Sequence, residues 1–416
     1  MKKDLPHLMT QHNLDALVIL GPDGLGAANT AFTYFTGGTH VTQGTVVVKR
    51  VGQGDSASIE SYLVHSPMER DEAAKTGLQL VSAAHYRMQD IVRQTGGDRL
   101  AARVEWTRRL FADLGVKGRV GFYGADSVGS TFAYLDALIR EEVVEVVAEY
   151  EKDVISQARE TKDAQEVALI REACRLTEGV IGQTRDYLRT HAVKDGVLIR
   201  TDGSPLTIGD VKAFIRREEA AAGLDDPGCI FSIGRDAGVP HSSGTLSDSI
   251  RLGQTIVFDI FPRLAGSYYA DITRTWCLGH ATDEVVQAYE TVMKVHDTLE
   301  QVFDTQRMSY EYQDMTCDIF EAAGHRTIRQ DLSVTNGYVH GLGHGFGLDV
   351  HEPPSMSLRG VRPDEPLKAG TIVTNEPGLY YPDKGFGIRV EDDYWCNPQG
   401  RFECLTTFDR SLVIPM

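Results

Sequence analysis

The chain has 416 residues, too many for one average domain, so two are expected. Its 42% hydrophobic and 24% charged content is that of a soluble globular protein. A net charge of -17 argues against nucleic-acid or anionic-membrane partners, which need a basic face.

The opening MKKDLPHLMTQHNLDALVIL has no apolar h-region before Asp15, so no secretion signal is read there. No run approaches the roughly 18 apolar residues of a membrane span. Six cysteines without a C-x-x-C pair suit reduced thiols, and a cytoplasmic location is expected.

Residues 1 to 155 alternate strand-like runs at Ala16–Leu20, Thr45–Val48, Gln79–Ser82, Val120–Tyr123 and Val143–Val147 with helical patterns such as Leu100–Leu114 and Thr131–Glu141. That alternation predicts a smaller α/β N-terminal domain. The charged stretch Glu149–Thr161 reads as the junction, and residues 156 to 416 as the second domain. A long helix is predicted from Asp163, with Glu166 completing a capping box and Val167, Ile170, Cys174, Ile181 and Leu188 near one face. Thr207 begins another, with Val211, Phe214 and Ile215 inward and Gly223 at its end. Two more helices are expected near 283–303 and 309–323. Helices, strands, helices, strands suggests two similar halves around one centre.

Chemistry concentrates in the last 160 or so residues. Asp259 lies in the apolar run Ile256-Val-Phe-Asp-Ile-Phe, and Asp271 follows twelve positions on, after a turn with Pro262 and Gly266. A hairpin of that span brings both acids to one point. His340 and His344 have helical i, i+4 spacing. Four glycines (Gly341, Gly343, Gly345, Gly347) argue instead for a strand or turn that lets backbone approach closely. His351 follows, ahead of Glu-Pro-Pro. Glu376 precedes Pro377-Gly378, and Glu391 falls two positions after Arg389, on the same strand face. His241 sits in Val239-Pro-His-Ser-Ser-Gly. Ionised carboxylates gathered in apolar surroundings repel one another, so some protonate unless cations neutralise them. Two divalent ions balance four carboxylates, and a water between two metals is a nucleophile at neutral pH, which points to a hydrolase. There is no G-x-S-x-G elbow and no phosphate loop.

The segments ADITRTW, GLGHGFGLDVHEPP, NEPGLYYP and GIRVED together resemble the pita-bread metallopeptidases, which include aminopeptidase P, prolidase and methionine aminopeptidase. The chain is most similar to the Xaa-Pro branch with a creatinase-like N-terminal domain. The resemblance implies an α+β catalytic domain of pseudo-twofold pita-bread form. It implies that Asp259 binds one metal, that Asp271 and Glu391 bridge two, and that His344 and Glu376 bind the other. His241 and His351 match histidines that contact the reacting group, His340 a substrate-site histidine, and Arg389 the arginine before the last ligand. Glu376 would also shuttle a proton. Two features depart from the pattern: a slightly longer Asp259–Asp271 interval, and Ser-Ser-Gly after His241.

The expected reaction is hydrolysis of an N-terminal Xaa-Pro bond in a short peptide with a free amino end, by an Xaa-Pro aminopeptidase or dipeptidase. One imidazole among oxygen ligands favours Mn²⁺, with Co²⁺ or Zn²⁺ as alternatives. Relatives imply a homo-oligomer, a dimer or tetramer. The rivals are a methionine-aminopeptidase-like enzyme, a metal-free creatinase-like hydrolase, and a non-enzymatic binding module on the same fold. The last two would not be expected to keep all five ligands.

Overall fold

The computed structural model of the protein describes residues 3–22, 29–52, 54, 57–124, 127–362 and 364–416. It separates into two compact units, Met1–Ala158 and Arg159–Met416. Among the described residues no helix is long and apolar enough to cross a membrane.

The first unit is built on a six-stranded mixed sheet. Its strands are β1 (Ala16–Leu20), β2 (Gly44–Val51), β3 (Ser58–His65), β4 (Gln79–Ser82), β5 (Arg119–Tyr123) and β6 (Glu145–Val147), in the order β4-β3-β2-β1-β5-β6. Every residue of β1 is buried. Leu17 and Ile19 enter one core while Ala16, Val18 and Leu20 enter another, so the central strand reads as a continuous apolar run. β3 escapes the sequence pattern because its first half, Ser58-Ile-Glu-Ser, is polar. Glu60 there is matched across the ladder by Lys49 at 2.8 Å.

The second unit opens with α1 (Ala164–Arg189), capped by the Asp163–Glu166 box, and α2 (Ile208–Ala222), which starts at Thr207 and ends on Gly223 with φ +77°. Val211 and Ile215 are buried, whereas Phe214 is only half-buried and stacks on Tyr187 with ring centroids 4.1 Å apart. Strands β7 (Ile230–Ile233), β8 (Thr255–Ile260) and β9 (Ile272–Leu278) follow, with Val413–Ile414 completing a four-stranded sheet. The helix-pair and strand order then repeats. α3 (Asp283–Val302) and α4 (Ser309–Ala322) lead into β10 (Gly343–Gly345), β11 (Glu352–Met356), β12 (Ile372–Asn375), β13 (Gly378–Tyr381), β14 (Phe386–Arg389) and β15 (Asp392–Cys396). Each half has its own apolar core: α1 and α2 pack over Phe231, Phe258 and Trp276, and α3 and α4 over Leu379, Ile388 and Tyr394.

Candidate active site

Strand alternation aims the first two acids. Ile256, Phe258 and Ile260 of β8 enter the α1–α2 core, so Asp259 projects from the opposite face. Asp259 lies across from Thr273 of β9, and Asp271 immediately precedes that strand, two residues before Thr273. The residues are 8% and 4% exposed, respectively.

His344 is in strand β10, not a helix. A Cβ at Gly343 would lie 2.4 Å from the Thr374 carbonyl oxygen, and one at Gly345 2.3 Å from that of Pro353. Only glycine permits so close a backbone approach on either side of the histidine. The His344 Nδ1 is 3.1 Å from the Gly345 carbonyl, which can only accept, so Nδ1 carries the proton. Nε2 is left with its lone pair 3.4 Å from Glu376 Oε1 and 3.8 Å from Asp271 Oδ2. One ligand atom each from Asp271, His344 and Glu391 lies within 4.8 Å of the others. The His351 ring meets the His344 ring edge-on, centroids 4.3 Å apart.

On the other half, Thr273 joins the acids: its hydroxyl donates to Glu391 Oε2 at 2.7 Å, and Glu391 N–H donates to the Thr273 carbonyl at 3.0 Å. Arg389 is 3% exposed and committed internally. It pairs with Asp259 Oδ2 and donates to Thr273 Oγ1 (3.2 Å), the Pro240 carbonyl (3.3 Å) and Tyr380 Oη (2.8 Å). Its ionic partner is therefore Asp259, not Glu391. Tyr380 Oη also meets His340 Nε2 at 2.8 Å, while His340 Nδ1 donates to the Gly341 carbonyl at 2.6 Å. In this geometry both Arg389 and His340 are held by contacts within the site. His241 lies at the exposed start of its turn, close enough to His340 and His351 to act on their charge.

Burial and mutual repulsion hold protons on the acids. Asp271 is pushed well above the carboxylate range by burial, then by Glu391 and Asp259. Glu376 is pushed well up by burial and Glu391, and Glu391 rises to about 8 through burial and Asp259. His344 is lowered to about 3, by burial and then His351, and His340 to about 3, by burial and then Arg389. Asp259 Oδ1 is buried with no hydrogen-bond partner. A cation suits this donor set: it would use the orphaned oxygen, the His344 lone pair and the crowded carboxylates together.

The metallopeptidase family M24 model matches residues 168–398. The chain belongs to that family. It is 25% identical over 397 residues to the uncharacterized peptidase YqhT of Bacillus subtilis, covering 95% of this chain and 96% of that protein. It is 27% identical over 277 residues to the Xaa-Pro dipeptidase of Pyrococcus furiosus, covering 64% and 69% of the two. The Xaa-Pro dipeptidase structure from Bacillus anthracis superposes with a TM-score of 0.75 at 19% identity, over 100% of this chain and 98% of that one. The M24 unit here has the pita-bread fold, preceded by an N-terminal unit as in the Xaa-Pro branch.

Several residues of this M24 site carry no flag in the sequence. Tyr380 and Thr273 sit inside the motifs but are neither acids nor histidines. Arg274 donates to the Glu391 carbonyl (2.7 Å) and Asp392 Oδ1 (2.8 Å), and Asp393 accepts from the Asp271 amide at 3.2 Å. The run Glu391-Asp-Asp shows three acids, and only the fold separates the one facing the cluster from the two behind it.

Proposed function

We propose that the protein is a two-metal exopeptidase that hydrolyses the N-terminal Xaa-Pro bond of short peptides, using Asp259, Asp271, His344, Glu376 and Glu391 as ligands. The observation that carries this reading is the His344 Nε2 lone pair facing Asp271 and Glu376, with Glu391 in the same cluster, inside the M24 segment. The Xaa-Pro part draws on the printed activities of relatives such as the Pyrococcus furiosus enzyme. The oxygen-rich set with one imidazole favours Mn²⁺, with Co²⁺ or Zn²⁺ as alternatives.

When bound, such ions supply Lewis acidity and an activated water. The chain's own residues do the rest. Glu376 would take a proton from the attacking water and pass it to the proline nitrogen, which leaves as an amine. His351, its pKa lowered chiefly by desolvation, donates one N–H to the developing oxyanion. His241 approaches from the opposite strand turn. Each such donor stabilises the tetrahedral species by roughly 3–4 kcal/mol. Tyr380 and Arg389 keep Asp259 in place during the reaction. A dedicated ring pocket is needed because the Xaa-Pro amide has no N–H and a fixed proline φ.

A substrate panel tests the reading. Xaa-Pro-Yaa peptides should be cut by the metal-reconstituted protein, and N-acetylated versions refused. If Xaa-Ala peptides are cut as fast, the proline specificity falls. If Xaa-Pro dipeptides are cut and tripeptides refused, the enzyme is a dipeptidase, and a cation other than the committed Arg389 reads the terminal carboxylate.

A further inference from the structure

Glu352 follows His351 and begins β11, so alternation turns its side chain to the face opposite the histidine: Glu352 is buried and His351 exposed. Its Oε1 reaches back to accept the amides of Leu348 (2.7 Å) and Asp349 (3.0 Å), closing the 346–351 loop on itself. Arg159 donates to the same oxygen and Lys162 Nζ to Oε2 at 3.1 Å. Arg159 also pairs with Asp349 at 2.6 Å. A Cβ at Gly347 would sit 2.9 Å from Glu352 Oε2, so the loop backbone lies directly on the carboxylate. Against burial, which alone would raise it, the lysine and the arginine hold Glu352 ionised, down to about 2.

The same stretch of chain holds the turn that leads to Asp271. Glu166, on the first turn of α1, accepts from Tyr268 Oη at 2.7 Å, and the Tyr269 amide donates to the Gly347 carbonyl at 2.8 Å. Residues 159–166 thus grip two loops, one ending in His351 and one in Asp271. Two cations packed on one buried carboxylate are a poor choice for stability alone, because desolvation offsets most of the attraction. What the arrangement does supply is a fixed backbone on both sides of His351.

We infer that Glu352, clamped by Arg159 and Lys162, is a positioning residue that sets the His351 imidazole towards the reacting group. The inference rests on the reading of His351 as the oxyanion donor. Glu352 does not touch the substrate; it acts only through the 346–351 loop.

A double-mutant cycle with His351 tests it. Glu352→Gln keeps the shape and the acceptor for the loop amides but removes the charge that Arg159 and Lys162 grip. In the metal-loaded enzyme it should lower kcat on an Xaa-Pro-Yaa peptide by about 10- to 100-fold, with KM and metal content near wild type. Added to His351→Ala, it should change kcat by less than about twofold, since the group it positions is gone. Equal losses in both backgrounds, or wild-type kcat in the single variant, overturn the inference. Should Glu352→Gln not fold, Lys162→Met, which leaves the Arg159 pair, enters the same cycle with the same two outcomes. An active wild type with additive losses removes only the positioning role. A metal-loaded wild type without peptidase turnover removes the functional reading and the inference together.

Discussion

His344 turns an unprotonated nitrogen towards two carboxylates, an arrangement that only a cation or a shared proton stabilises. Asp271 is the acid most deeply involved, raised by four neighbouring carboxylates as well as by burial. Asp271→Asn should therefore lower bound metal and reduce turnover by about 100-fold or more, because a neutral amide does not replace a bridging carboxylate. Metal analysis of the variant beside a rate assay checks both; wild-type turnover with wild-type metal content would remove the assigned role. His351→Ala is expected to differ in kind. It should lower kcat by about 100-fold and leave the metal content intact. Loss confined to KM would make His351 a ground-state contact, and loss of metal would make it a ligand. The acids and histidines were legible because a charge in an apolar run is conspicuous. Tyr380, Thr273 and Glu352 were not: their partners Arg389, Glu391 and Arg159 lie 9, 118 and 193 residues away along the chain.

Among the elements, the helix starts were the plainest in the sequence. Asp163 with Glu166 and Thr207 with Asp210 both form capping boxes, and Gly223 and Gly115 close their helices in the left-handed region. The apolar run of β8 likewise marked Asp259 as an acid in a strand. α2 also carries a residue that local rules would place outside. Glu219 is 1% exposed, neither carboxyl oxygen has a hydrogen-bond partner, and it faces Asp226. Burial, then Asp226, pushes it up to about 8. The unfolded chain ionises near the ordinary 4.5 while the folded one stays protonated. Stability is thus highest below that value and falls as pH rises towards about 8. Glu219→Gln should leave stability nearly unchanged at pH about 4 and raise it by about 1–3 kcal/mol at pH about 8. Thermal unfolding at the two pH values checks the sign; a variant less stable at the higher pH would mean that Glu219 is ionised and paired in the native protein. β3 was missed because its polar half gains its stability from the Lys49 pair across the ladder, which a single strand does not display.

Across the whole molecule, the alternation of strand-like and helical runs gave the α/β unit, the resemblance of the later motifs gave the pita-bread unit, and the M24 match lies within the second. The repeat of helix pair and strands was legible as order, whereas the way Arg389 crosses from one half to Asp259 of the other could only come from the fold. Acids from both halves converge in one cluster, and the elements that flank them are anchored in the apolar core of each half. The most direct test is a titration of the metal-stripped protein with Mn²⁺, following ions bound per chain and hydrolysis of an Xaa-Pro-Yaa peptide together. Two ions per chain, with turnover absent from the stripped protein and rising as the sites fill, is the predicted result. Full turnover in the stripped protein, or saturation with metal and no peptide hydrolysis, would contradict it.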